Sequence, residues 1–255
     1  MPNTGHYNVK SAQRVLELLE FFAEWRRGAT VNEICQSLGY PQSSTSILMK
    51  CLNESGYFDH DKRTGMYTPN VRLALATAWI GEHLFSERSL LGLMEQILDG
   101  CGHTVMIGTQ QGVHVRYLHV LQATRAERFT AKIGSLRPLF RSAPGKMLLT
   151  TKSEREVALL LRRANGLETD ARLRMEEGQV QMERERALKD GFAMSLGTSV
   201  PGAAGLAILL PVPRGHEPMT LSLGGPMKEI QRDRVKLVQL LRDVVQPLNA
   251  AVGQL

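Results

Sequence analysis

Apolar side chains near the start of the chain recur at the spacing of amphipathic helices. Residues 11–25 carry them three or four positions apart, which predicts a first helix with Ser11 as its N-cap. A second apolar stripe follows Thr30, and Glu33 completes the pattern of a capping box. These patterns predict two helices in succession.

A tight turn separates the second predicted helix from a third. Gly39 suits the left-handed position after a helix, and Pro41 suits the first turn of a helix that runs to about Glu54. Its apolar face carries Thr45 and Met49, whereas the opposite face carries short polar side chains that can approach DNA bases closely. Two short helices joined by a glycine turn predict a helix-turn-helix.

The pattern changes after this helix from helical spacing to that of a hairpin. Two short runs, residues 57–60 and 66–69, flank the turn-rich segment 61–65. Lys62 and Arg63 place two positive charges at the predicted tip. A hairpin in this place predicts the wing of a winged helix-turn-helix.

The remainder of the chain mixes helical and strand-like patterns. Residues 71–98 return to helical spacing, and from His103 onward the two patterns alternate. Strands are predicted at 104–109, 113–120, 205–212 and 219–223, and helices at 144–151, 153–163, 171–189 and 228–249. This mixture predicts an α+β fold with a mostly antiparallel sheet.

Three parts are therefore expected. They are a winged helix-turn-helix domain at 1–70, a linker helix at 71–86, and an α+β domain at 87–255. A chain of 255 residues is long for one compact domain, in agreement with this division.

Composition narrows the class of protein. An apolar share of 43% with 22% charged residues is typical of globular proteins, and neither a membrane span nor a secretory signal is evident, so we expect a cytoplasmic protein. Three cysteines without CxxC spacing argue against a disulfide framework or zinc ribbon. The net charge of +6 is weak evidence for DNA binding, because the first 70 residues are neutral, with seven basic and seven acidic side chains.

Eight short stretches, taken in order, resemble one family. They are SAQRVLELL (11–19), LGYPQSST (38–45), GYF (56–58), IGSLRPL (133–139), APGKMLL (143–149), GFA (191–193), PV (211–212) and SLGGP (222–226). Over nearly its whole length the chain is similar to the IclR family of transcriptional regulators. The resemblance implies that residues 87–255 form a GAF-like effector-binding and oligomerisation domain. It also implies pairing of winged domains on a pseudo-palindromic operator and frequent assembly to tetramers.

The third helix and its surroundings carry the candidate DNA contacts. Gln42 can pair with adenine, and an exposed Ile47 beside Ser46 suits a thymine methyl group. Candidates for phosphate contacts are the hydroxyl groups and cations of Ser43, Ser44, Arg26, Arg27, Lys50, Lys62 and Arg63. The alternative is that these side chains form an ordinary solvated surface.

The candidate effector site lies in the second domain. Ser142 and Ala143 open a predicted helix, whose first turn suits a carboxylate. The resemblance implies further contacts at Ser195, Ala207, Ser222 and Gly224. Three of the family's usual polar contacts are smaller or less polar here, which favours an aromatic or hydrophobic acid over pyruvate or glyoxylate.

Three further residues, Met106, Tyr117 and Leu139, are expected either to line this pocket or to belong to the plain core.

An enzyme is the competing hypothesis. Cys101 and His103 are close in sequence and His114 and His119 share a predicted strand, but the last two lie five positions apart and should face opposite sides. The ordinary interpretation as core or surface residues is favoured, so we expect no enzyme, no metal and no cofactor.

The expected partners are double-stranded operator DNA, a carboxylic acid effector, and further copies of the chain in a homodimer or dimer of dimers, with no membrane. In a second alternative, the C-terminal domain mediates oligomerisation only.

Overall fold

The computed structural model of the chain describes residues 9–77, 89–126, 129–212 and 215–252. Contacts within the chain divide it into two units, Met1–Glu82 and His83–Leu255. Residues 71–77 are helical, and the rest of the predicted linker helix, residues 78–86, lies outside the described residues.

The first unit consists of three helices and a small antiparallel sheet. The helices are α1 (Lys10–Trp25), α2 (Val31–Leu38) and α3 (Gln42–Glu54), and the strands are β1 (Ala29–Thr30), β2 (Phe58–Asp61) and β3 (Met66–Pro69). The strand order is β1-β3-β2. The core contains Leu18, Phe22, Ile34, Met49 and Phe58, which come from all three helices and from β2. The predicted winged helix-turn-helix is confirmed.

The ends of these helices follow the predicted signals with two differences. Thr30 Oγ1 accepts the Glu33 N–H at 3.3 Å, and a Glu33 carboxylate oxygen accepts the Thr30 N–H at 2.8 Å, which is a complete capping box. Pro41 is the N-cap of α3 and not part of its first turn. Ser11 is not the N-cap of α1, because a Gln13 N–H bond to the Val9 carbonyl at 3.1 Å closes the first turn earlier.

The second unit is built on one six-stranded antiparallel sheet. Its strands are β4 (Thr104–Gln111), β5 (His114–Leu121), β6 (Leu136–Pro138), β7 (Ala193–Leu196), β8 (Ala203–Leu210) and β9 (Met219–Pro226). The strand order is β6-β5-β4-β9-β8-β7. Its helices are α4 (Leu90–Cys101), α5 (Ala143–Leu149), α6 (Glu154–Leu167), α7 (Glu177–Asp190), α8 (Met227–Arg232) and α9 (Arg234–Val252). The predicted α+β fold is confirmed.

The sheet packs against helices on both faces. Leu206, Leu221 and Leu223 lie in one cluster with side chains of α4 and α9, such as Ile97 and Leu241. Since side chains alternate along a strand, the neighbouring positions of β8 and β9 face the other side. On that side Ala207 packs against α5 and α7, and this is the face that carries the candidate pocket.

Two predicted helices differ from those in the structure. The segment 171–189 contains a 3-10 turn at Ala171–Leu173 before α7, because the Asn165 side chain exchanges hydrogen bonds of 2.9 and 3.0 Å with the Met175 backbone and holds the chain extended. The segment 228–249 forms α8 and α9, which are separated at Asp233.

Candidate effector pocket and DNA-binding surface

In the first unit one face of α3 is buried in the core and the opposite face is exposed. Thr45 and Met49 are buried, and the Thr45 hydroxyl donates to the Pro41 carbonyl at 3.0 Å. On the opposite face Gln42 and Ser43 are exposed, and Ile47 is 69% exposed. An exposed isoleucine between short polar groups is the arrangement expected of a helix that reads base edges.

The side chains predicted to contact phosphates differ in how far they are already engaged by other groups of the protein. Arg27 forms a 2.9 Å ion pair with Glu33 and stacks on the Trp25 ring, with 4.4 Å from its guanidinium carbon to the ring centroid. Arg26 is exposed and ends α1 in the left-handed conformation, with φ of 51°. Ser44 donates to the Pro41 carbonyl at 3.1 Å, so its oxygen remains available only as an acceptor.

The other predicted contacts on α3 are Lys50, which is exposed, and Ser46, which is half-buried.

The wing turn is held by one carboxylate. Asp61 accepts the Arg63 N–H at 2.8 Å and the Thr64 hydroxyl at 2.7 Å. These bonds, the one from Thr64 first, hold the pKa of the Asp61 carboxyl below its usual value. The turn therefore presents Lys62 and Arg63 as exposed cations.

The predicted effector residues of the second unit meet on the sheet. In a first rung of paired positions, Ser195 lies opposite Gly205, and Gly205 opposite Gly224. In a second rung, Ala207 lies opposite Ser222, and Ser222 opposite Met106. Because the rungs are two residues apart, their side chains share one face of the sheet.

A pocket opens over these two rungs. It is partly open to solvent and has a cavity volume of about 30 Å³, room for about two water molecules, so a larger ligand requires the side chains of the wall to move apart. Six predicted effector residues line it: Met106, Tyr117, Ser142, Ser195, Ser222 and Gly224. The other three lie beside it in the core, since Ala143 and Ala207 pack together and Leu139 belongs to a neighbouring cluster.

The space beside Gly224, where another residue would have a side chain, is filled by an aromatic ring. A Cβ added there would lie 2.6 Å from Cδ1 of Phe129 and 3.1 Å from Cε of Met106. The Phe129 carbonyl is fixed by the Thr104 hydroxyl, which donates a hydrogen bond to it. The space beside Gly224 is thus occupied by an apolar wall and not by a polar side chain.

The start of α5 offers few free donors for a carboxylate. The Gly145 N–H donates to the Ser142 hydroxyl at 3.3 Å, and Pro144 has no N–H. The helix is only seven residues long. It supplies less positive potential than the sequence pattern suggested.

Sequence reasoning missed nine of the residues that line the pocket, among them Phe129, Arg137 and Ser199. Phe129 lies outside the helices and strands, and Arg137 lies on the three-residue strand β6. Ser199 lies between β7 and β8, in a segment too rich in glycine for a periodic pattern. The only signal for Arg137 was its place inside the IGSLRPL stretch.

The residues behind the enzyme hypothesis form no visible catalytic set. Burial lowers the pKa of His103 and raises the pKa of Cys101, so the thiol stays protonated and weakly nucleophilic. Among the described residues, no group of three or more His, Cys, Asp or Glu side chains could hold a metal ion. His114 and His119 lie on β5, paired with Gln111 and Ile107 of β4.

A winged helix-turn-helix followed along the chain by an α+β unit with a pocket defines the class of two-domain transcriptional regulators. The model described as the IclR helix-turn-helix domain matches residues 11–62. The model described as bacterial transcriptional regulator IclR C-terminal matches residues 87–250. The chain belongs to the IclR family, as its sequence stretches suggested, and is a DNA-binding transcriptional regulator.

Named relatives agree with this assignment. The chain is 28% identical over 243 residues to the transcriptional repressor IclR of Escherichia coli K12, covering 92% of this chain and 85% of the relative. It is 22% identical over 256 residues to the HTH-type transcriptional repressor AllR of Salmonella typhi, covering 98% and 92%. These relatives are repressors, which makes an enzyme the weaker hypothesis.

Solved structures share the fold. The IclR protein of Thermotoga maritima matches with a TM-score of 0.61 at 16% identity, over 96% of this chain and 99% of that one. An IclR family regulator from Brucella abortus matches with a TM-score of 0.54 at 23% identity, over 96% and 93%. Within the described ranges, no helix is long and apolar enough to cross a bilayer.

Proposed function

We propose that this regulator is controlled by a small aromatic or hydrophobic carboxylic acid that binds over the two rungs of the sheet. The observation that carries the proposal is the composition of the pocket wall. Met106, Tyr117 and Phe129 supply a continuous apolar side, and serine hydroxyls supply a few polar groups. Such a wall suits a planar apolar ligand with one polar end.

The pocket disfavours a small keto acid. The Ser222 hydroxyl already donates to the Met106 carbonyl at 3.2 Å, and no side chain extends from Gly224 or Gly205. A second oxygen of pyruvate or glyoxylate that faces these three positions would lack a partner, at a cost of about 1–3 kcal/mol. An aromatic acid has no such second group to satisfy.

We further propose that Gln42 and Ile47 contact base edges and that the wing cations, Lys50, Arg26 and Ser43 contact phosphates. Their exposure supports this assignment. Arg27 contributes less than the others, because its guanidinium is engaged by Glu33 and Trp25. Operator binding by a homodimer or a dimer of dimers completes the proposal.

Thermal unfolding with a panel of acids tests the effector. At 100 times its Kd, a ligand stabilises the folded state by about 2.7 kcal/mol, which raises the melting temperature by a few degrees. We expect benzoate or related hydrophobic acids to do so, and pyruvate and glyoxylate to have no effect. Stabilisation by pyruvate alone, abolished by Ser222→Ala, would contradict the proposal.

A gel-shift assay with the DNA upstream of the protein's own gene tests the regulatory output. We expect the acid that stabilises the protein to change its affinity for this DNA. If no acid changes either quantity, the second domain serves oligomerisation only.

A further inference from the structure

One charged side chain lines the pocket without a counter-ion. Arg137 is the single charged group among the described residues of the lining. Its Nε is buried and has no hydrogen-bond partner, and its terminal nitrogen donates to the Leu136 carbonyl at 2.9 Å. Most buried donors in folded proteins have a hydrogen-bond partner, so a free one in a pocket wall points to a missing acceptor.

The surroundings of this guanidinium strengthen its attraction for an anion. Its central carbon lies 5.4 Å from the centroid of the Tyr117 ring and 5.8 Å from that of Phe129. These rings exclude water from part of the group and lower the local dielectric constant. The same rings flank the space that a ligand would fill.

A second free donor lies in the same wall. The Ser199 hydroxyl is buried and has no hydrogen-bond partner. Ser199 belongs to the connection between β7 and β8, which closes the pocket on the side of Val200 and Ala203. Two free donors, one charged and one neutral, therefore face one space with no carboxylate in the described lining.

We infer that Arg137 and Ser199 recognise the anionic group of the effector, with the rest of the ligand packed against the rings of Tyr117 and Phe129. This assignment rests on the proposed function and makes it more specific, because it places the anionic group of the effector at β6 instead of at the start of α5. A planar guanidinium binds a carboxylate through two parallel hydrogen bonds. The ligand class is then an aromatic acid with its carboxylate ionised, and uncharged analogues are rejected.

Calorimetric titration of the full-length protein tests the assignment. The probes are benzoate, phenylacetate and cinnamate, each paired with its primary amide, which has nearly the same shape without the charge. We expect an acid to bind more tightly than its amide, and Arg137→Met to weaken the acid by about 10- to 100-fold without changing the amide. Arg137→Lys should retain part of the difference, and Ser199→Ala should weaken the acid by about 3- to 10-fold.

Arg163→Met is the matched control, because it removes an exposed arginine of α6 and the same charge. It should leave all affinities unchanged.

The outcomes separate this assignment from the proposed function. An acid that binds Arg137→Met as tightly as the wild type, or no better than its amide, overturns the role of Arg137 and leaves the effector proposal standing. If no acid binds the wild-type protein, the effector proposal falls and the assignment with it.

Nuclear magnetic resonance of the arginine side chains gives a readout that does not depend on the variants folding. The Arg137 Nε–H signal should shift when an acid saturates the wild-type protein and stay in place with the amide. An unmoved signal at saturation would place the carboxylate elsewhere.

Discussion

Gly145 lies where the backbone of a neighbouring segment leaves no room for a side chain. A Cβ at this position would be 1.9 Å from the Leu139 carbonyl oxygen and 2.6 Å from its carbonyl carbon. Both atoms belong to the backbone, so neither can rotate away. This contact fixes the start of α5 against the segment that follows β6 and thereby positions Ser142 beside the pocket.

Gly145→Ala should therefore destabilise the second unit by about 3 kcal/mol or more, since the clash forces the backbone apart. Chemical denaturation followed by circular dichroism measures the change. Gly166→Ala in α6 is the matched control, because nothing lies within 4 Å of the added methyl group. It should be neutral or stabilising by up to about 1 kcal/mol. Equal effects of the two substitutions would refute the argument.

At the scale of the element, α3 and the wing are expected to make two different kinds of contact with DNA. Gln42→Ala should cost about 1–3 kcal/mol at one base pair and relax discrimination there. Lys62→Ala should weaken all sequences about equally and reduce the salt slope by about one unit. Binding titrations at several salt concentrations, on operator and scrambled DNA, measure both effects. Equal loss on the two DNAs with Gln42→Ala would count against base reading.

The wing turn predicts a pH effect. Because the Asp61 pKa is lowered in the folded state, its hydrogen bonds stabilise the turn above the unfolded value of about 3.9. That stabilisation is lost as the pH falls through the lower folded value. A carboxyl titration by nuclear magnetic resonance should show Asp61 titrating below the usual range. Thr64→Val should bring it back towards normal, and Thr68→Val on β3 should not.

The elements that could be predicted from sequence are those with local signals. Thr30, Glu33 and Gly39 mark the ends of α2 within a few residues of chain, and the structure has these caps. The interruption before α7 could not be predicted, because it depends on Asn165 bonding to Met175 ten positions away. Strands of three or four residues, such as β6 and β7, are too short to show an alternating pattern.

The pocket residues likewise divide into those that could be predicted from the sequence and those that could not. Ser195, Ser222 and Gly224 were found through sequence stretches that resemble the family, and the sheet register brings them together. Arg137 and Ser199 were missed because their place in the wall depends on β6 and on a loop, neither of which has a periodic signal. The resemblance assigned contacts on the sheet and at the start of α5, and none to Arg137 or to the loop that carries Ser199.

For the whole molecule, symmetric pairing should determine operator affinity. The first unit has few long side chains on the outer face of α3, and the first 70 residues are neutral, with seven basic and seven acidic side chains. A single copy should therefore bind weakly, and two linked copies should bind far more tightly through their effective concentration. Light scattering should show at least a dimer. A monomer that binds one half-site as tightly as the full operator would overturn this expectation.

The two rungs beneath the pocket make this regulator suitable for conversion into a biosensor. β8 and β9 are hydrogen-bonded to neighbours on both sides, so their backbone positions do not depend on the side chains they carry. Exchanging the lining residues Met106 and Ser222 of the second rung would then change which molecule is detected while the sheet stays intact. A small library of variants with substitutions at a few rung positions could be screened against many ligands. A reporter gene behind the operator would give the readout.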